Sequence, residues 1–127
     1  MKRKSTVLVS GLLAAALSSG CAAALVGAGV AGGYAISQDS VRNTFDLSKE
    51  DVYRESLAVA NDSGFVTTED PAHGLIKLKI DNTNVTITVK RLSKKTVELK
   101  VKARNQFLLP EINVAQDVYN KIIDRLP

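Results

Sequence analysis

The sequence predicts an α+β fold: an antiparallel four- to five-stranded sheet with two helices packed on one face, in the order β-α-β-β-β-β-α, preceded by a Gly/Ala-rich tether. Three observations predict it. Between residues 76 and 104, apolar and polar residues alternate with period two over three consecutive stretches, and the connections are too short for anything but antiparallel neighbours. Each stretch is apolar on one side only, so its cover must come from that side. Two segments with helical spacing, one before and one after these strands, supply that cover.

The elements follow in chain order. Asn43-Thr44-Phe45-Asp46-Leu47 alternates weakly and reads as a first strand. Ser48 then offers an N-cap with Asp51 three residues on, and Leu47 and Val52 are spaced to close a hydrophobic staple. A helix starts there, with Val52, Tyr53, Leu57, Val59 and Ala60 on its apolar stripe. It ends at Asn61-Asp62-Ser63-Gly64, where the glycine is expected in the left-handed conformation. Phe65 to Glu69 reads as a strand, and Asp70-Pro71-Ala72-His73-Gly74 as a turn.

The clearest strands come next. Ile76, Leu78 and Ile80 point one way and Lys77 and Lys79 the other; after a turn at residues 81–84, Val85, Ile87 and Val89 face in against Thr86, Thr88 and Lys90. Beyond Ser93-Lys94-Lys95, Val97, Leu99, Val101 and Ala103 face in, with Glu98, Lys100, Lys102 and Arg104 out. Pro110 and Glu111 suit a first helical turn, and Ile112, Ala115, Val118, Tyr119, Ile122 and Leu126 form one stripe.

The start of the chain has a different character. Met1-Lys2-Arg3-Lys4, an uncharged run from Val7 to Leu17, and Leu17-Ser18-Ser19-Gly20-Cys21 form a basic, an apolar and a small-residue region in the order of a secretory signal. Cys21 is the single cysteine, so no internal disulfide is available. Its place directly after small residues resembles the bacterial lipobox, with Ser18 where that motif usually has Leu. The resemblance implies cleavage between Gly20 and Cys21, a diacylglyceryl group on the thiol and an acyl chain on the freed amine. Two such chains already anchor stably.

The chain thus divides into a signal over residues 1–20, a lipidated cysteine with a Gly/Ala-rich tether over 21–37, and one small domain over 38–127. Residues 1–20 hold three of the seventeen basic residues and no acid, which leaves fourteen bases against thirteen acids. The high pI therefore reflects targeting, and no nucleic-acid partner is expected.

Gly27, Gly29 and Gly32 have the spacing GxGxxG, yet a dinucleotide site needs a strand before the first glycine and a βαβ unit around it. Gly27 follows Cys21 by only six residues, which leaves no room for a strand, so no nucleotide and no cofactor is expected. The glycines fit a membrane reading instead. Ala22 to Ile36 is uncharged but, at about 22 Å as a helix, too short to cross a bilayer alone. Ala23, Gly27, Ala31 and Ala35 recur every fourth place, and Gly29 and Gly33 add a GxxxG pair, so the segment is either a tether or a face for self-association in lipid. With the signal uncut, Val7 to Ile36 would be long enough to span.

Cys21, Gly27, Gly29, Gly33 and Tyr34, then Val52, Leu57, Gly64, Gly74 and the alternating strands through Val101, resemble the small bacterial lipoprotein family known as domain of unknown function 3568. The resemblance implies lipidation and an envelope location, with no assigned reaction or catalytic residue. The lipobox resemblance, with Ala22 and no Asp after the cysteine, implies the outer membrane rather than the inner.

Candidates for chemistry are few. His73, the one histidine, has Asp70 three residues earlier, but no nucleophile or further ligand is spaced to join them. Charge is more informative: residues 39–70 carry −5 and residues 75–104 carry +7. Lys77, Lys79, Lys90, Lys100, Lys102 and Arg104 share the outer sheet face, which either is an ordinary solvated face guarding against edge pairing or docks on anionic lipid, lipopolysaccharide phosphates or an acidic envelope protein. Phe107, Leu108 and Leu109 either close the core or present an apolar contact. The expected function is a non-enzymatic, membrane-anchored envelope lipoprotein acting as a periplasmic binding or structural module; the alternative is an oligomer-forming membrane component packing through Gly27, Gly29 and Gly33.

Overall fold

The computed structural model describes residues 34–127. The signal segment, Gly20, Cys21, Gly27, Gly29 and Gly33 lie outside the described residues. Within them the chain forms β1 (Ala35–Ile36), β2 (Ser40–Phe45), α1 (Lys49–Ser63), β3 (Phe65–Asp70), β4 (Leu75–Ile80), β5 (Thr83–Arg91), β6 (Val97–Asn105) and α2 (Ile112–Arg125). One six-stranded antiparallel sheet runs β1-β2-β6-β5-β4-β3, and both helices cover its apolar face.

The expected α+β architecture is present, with one strand more than foreseen. Two residues make β1: Ser37 closes the turn, its N–H donating to the Ser40 carbonyl at 2.8 Å, and its hydroxyl lies 2.7 Å from that of Ser40. The sheet therefore takes in Ala35 and Ile36, which the sequence assigned to the tether. Strand β2 begins at Ser40 rather than Asn43, because its pairing with β6 starts there, Ser40 opposite Lys102 and Phe45 opposite Val97. Ser40 and Val41 are both buried, so alternation fails at that end.

Local chemistry sets the helix ends. Ser48 caps α1 by accepting from the Asp51 N–H at 3.1 Å. Val52, Tyr53, Val59 and Ala60 are buried, and Ser56 joins them by donating its hydroxyl to the Val52 carbonyl at 2.6 Å. Gly64 is extended (φ −170°) and not left-handed as expected, because β3 begins at the next residue. Glycine is needed there for closeness: a Cβ would lie 2.4 Å from the Lys79 carbonyl oxygen. Helix α2 begins at Ile112, two residues later than Pro110 predicted, since Pro110 bridges Arg104 and the Glu111 N–H donates to the Ala103 carbonyl at 3.0 Å.

Ile76, Ile87, Leu99, Val101, Val118 and Ile122 are fully buried between sheet and helices. Tyr119 of α2 seals the β1 side: its hydroxyl accepts from Asn43 Nδ2 at 2.8 Å and its ring lies 5.8 Å from that of Tyr34. Burial pushes the Tyr119 phenol above its ordinary range, against the opposing Asn43 hydrogen bond.

Candidate functional site

The alternating strands place their polar residues on the sheet face away from the helices. Register aligns them in rows: Lys102 beside Thr86 and Thr86 beside Lys77; Arg104 beside Asn84 and Asn84 beside Lys79; Lys100 between Arg42 and Thr88. Lys90 stands at the far end, opposite Glu98. All six basic residues singled out in the sequence thus share the outer face. Arg42 joins them, a residue missed because β2 was expected to start one position later than it.

The six are not equivalent. Asp39, in the turn before β2, receives Arg104 Nε at 2.8 Å and Arg104 Nη2 at 2.6 Å, with Lys102 Nζ at 3.8 Å. Burial pushes the Asp39 carboxyl up, but the hydrogen bond and charge of Arg104, the Ser37 hydroxyl and the Lys102 charge outweigh it and hold the group below the usual carboxylate range. The remaining Arg104 nitrogen, Nη1, donates to the Leu108 carbonyl at 2.8 Å. Every nitrogen of that guanidinium is engaged, so Arg104 is a brace and not a free cation. Lys77, Lys79, Lys90 and Lys100 have no acid within ion-pairing distance among the described residues.

The brace holds an apolar tip. Phe107, Leu108 and Leu109 are 73%, 69% and 58% exposed, so they do not close the core. The loop is nonetheless ordered: Asn105 Oδ1 accepts from the N–H groups of Phe107 at 2.8 Å and Leu109 at 3.1 Å, the Leu108 N–H donates to the Asn105 carbonyl at 2.9 Å, and the Asn105 N–H to the Leu109 carbonyl at 2.9 Å. Leu108 adopts φ +63°, a conformation that costs a residue with a Cβ about 1–2 kcal/mol. Leu108 also lines, with Lys77, Asn84, Thr86, Lys102 and Arg104, a shallow depression of about 320 Å³ on the outer face. Cations, hydrogen-bonding groups and exposed hydrocarbon therefore meet at one corner of the sheet.

His73 lies in the β3–β4 turn with its side chain 81% exposed and Nδ1 2.8 Å from Asp70 Oδ2. Asp70 also accepts the His73 N–H at 3.2 Å, and these two bonds to His73 hold its carboxyl below the usual range. The pair is a turn clasp. Among the described residues no three His, Cys, Asp or Glu side chains gather as a metal site, and no helix is long and apolar enough to cross a membrane.

Sheet, helices and corner together define a small antiparallel α+β module whose outer surface combines lysines with protruding apolar side chains. No curated protein matches the chain. A family model does, over residues 4–105, and the chain belongs to that family, described as "Protein of unknown function (DUF3568)". The match spans the apolar beginning and the sheet through β6; the Phe107 tip and α2 follow it.

Proposed function

We propose that this chain is a lipid-anchored protein of the bacterial envelope, in which Cys21 carries the lipid and the α+β module, facing the periplasm, acts by binding or support rather than by catalysis. The observation that carries this reading is the order Lys2-Arg3-Lys4, an uncharged run, then small residues and the one cysteine. The family match supports it, since the matched span begins at Lys4 and so includes the uncharged run, the small residues and Cys21. Two acyl chains, each methylene contributing about 0.8 kcal/mol, make such an anchor stable. Ala22 after the cysteine favours the outer membrane.

The test is Cys21→Ser. The variant is expected to lose fatty-acid labelling and to leave the membrane fraction; a variant that fractionates as the parent does overturns the proposal.

A further inference from the structure

We propose that the module rests on the surface of an anionic phospholipid bilayer through the corner formed by Phe107, Leu108, Leu109 and the lysines beside them. Four observations on that corner converge. Three consecutive apolar side chains project into solvent, a contiguous apolar exposure of the kind that contact surfaces present. The N–H groups of Phe107, Leu108 and Leu109 are satisfied within the loop and the Leu108 carbonyl by Arg104, so the tip enters the headgroup region without stripping water from unpaired N–H groups. Leu108 is held in a backbone conformation unfavourable to leucine, and the structure supplies five hydrogen bonds to keep it there. Lys77 lines the depression beside Leu108 without an acid to neutralise it, Lys79 lies two residues on along the same strand face, and Lys102 is only loosely tied to Asp39 at 3.8 Å.

Charge complementarity therefore selects the occupant: hydrocarbon that wants the acyl boundary and ammonium groups that want headgroup phosphates lie side by side. An acidic protein would satisfy the lysines but would leave Phe107 and Leu109 without a reason to protrude. Asp81, exposed in the β4–β5 turn at the same end of the sheet, limits the attraction to the β4 and β6 lysines. The inference rests on the reading that the chain is tethered to a membrane. Tyr34 lies thirteen positions beyond Cys21, at most about 45 Å of chain, so a weak second contact is populated because the surface is always near.

The chain contains no tryptophan, so Phe107→Trp in the full chain provides a single reporter. Reconstituted into phosphatidylcholine vesicles containing phosphatidylglycerol, the introduced indole is expected to emit at shorter wavelength and to be quenched by brominated acyl chains. In pure phosphatidylcholine, or at high salt, both signals are expected to fall. Adding Leu108→Asn, which keeps a residue tolerant of positive φ, or Lys77→Glu with Lys79→Glu, is expected to reduce quenching about tenfold. Unfolding of the Leu108→Asn variant, followed by circular dichroism, is expected to occur at or above the parental temperature, separating loss of contact from loss of fold. Inorganic phosphate without vesicles is expected to leave the emission unchanged; a shift as large as that with vesicles would assign the corner to a free anion and overturn the proposal. Water-like emission that iodide quenches equally in every vesicle also overturns it. Vesicle flotation measured alongside reports the tether by itself: a chain that floats while its indole stays in water overturns the corner contact alone, and a chain that does not float overturns the tethered reading and this inference with it.

Discussion

Gly74 offers the sharpest test of the packing. It begins the return from the β3–β4 turn at φ +64°, its N–H donating to the Pro71 carbonyl at 3.2 Å and its own carbonyl accepting the Val89 N–H at 2.7 Å. A Cβ there would stand 2.0 Å from the Val89 carbonyl oxygen and 3.0 Å from its carbon, backbone atoms of a fully buried strand position. Gly74→Ala thus carries about 1–2 kcal/mol for the left-handed conformation. A further ~1–2 kcal/mol comes from pushing β5 aside and weakening the Val89 hydrogen bond. The expected loss is about 3 kcal/mol, which lowers Tm by about 15 °C in a domain this size and leaves it folded at room temperature. Gly64→Ala is the internal control, because φ there is extended and only the close approach to the Lys79 carbonyl and the Ile80 side chain is at stake, so its loss is expected to be smaller. Urea unfolding followed by far-ultraviolet circular dichroism measures both. A Gly74→Ala loss below about 1 kcal/mol would mean that β4 shifts away from Val89 freely, and the reasoning would fail.

Two further variants probe the ends of the sheet and the first helix. Asp39→Asn removes the carboxylate that holds Arg104 and is expected to cost about 1 kcal/mol at neutral pH, a modest figure because both side chains keep some solvent. The folded Asp39 carboxyl lies below its unfolded value of 3.8, so its contribution is complete above that pH and is lost as pH falls through the folded value; the gap between parent and variant in urea midpoints is expected to close in strong acid. A gap that instead widened with acid would refute the pairing. Ser48→Ala deletes the acceptor for the Asp51 N–H and is expected to cost about 1 kcal/mol by thermal unfolding, largely recovered by Ser48→Asp.

Where one residue's role depends on its near neighbours, the sequence made it legible. The alternation of Ile76, Leu78, Val85, Ile87, Leu99 and Val101 with lysines and threonines gave three strands and the face of each, and Ser48 with Asp51 marked the start of α1. Roles fixed by distant partners were hidden. Arg104 reads as one more outward cation until Asp39, 65 residues away, is seen against it. Gly64 reads as an ordinary helix terminator because the Lys79 carbonyl that crowds it belongs to another strand. Phe107, Leu108 and Leu109 look like core to any hydropathy scale, and the Asn105 side chain and the Arg104 guanidinium turn them outward. The single signal for that turn was Asn105 itself, whose short side chain favours local backbone bonding.

The strand order also governs how the molecule is completed. Strand β2 lies between β1 and β6, and its Ser40 meets Lys102 only after sixty-two further residues have been made. A polypeptide made from its amino end therefore delivers β2 early and its main neighbour late, with β3, β4 and β5 able to zip together in the interval. During that interval Val41 and Phe45 lie along an open border, a waiting period in which a passing chain of similar character competes for the seat that β6 will take.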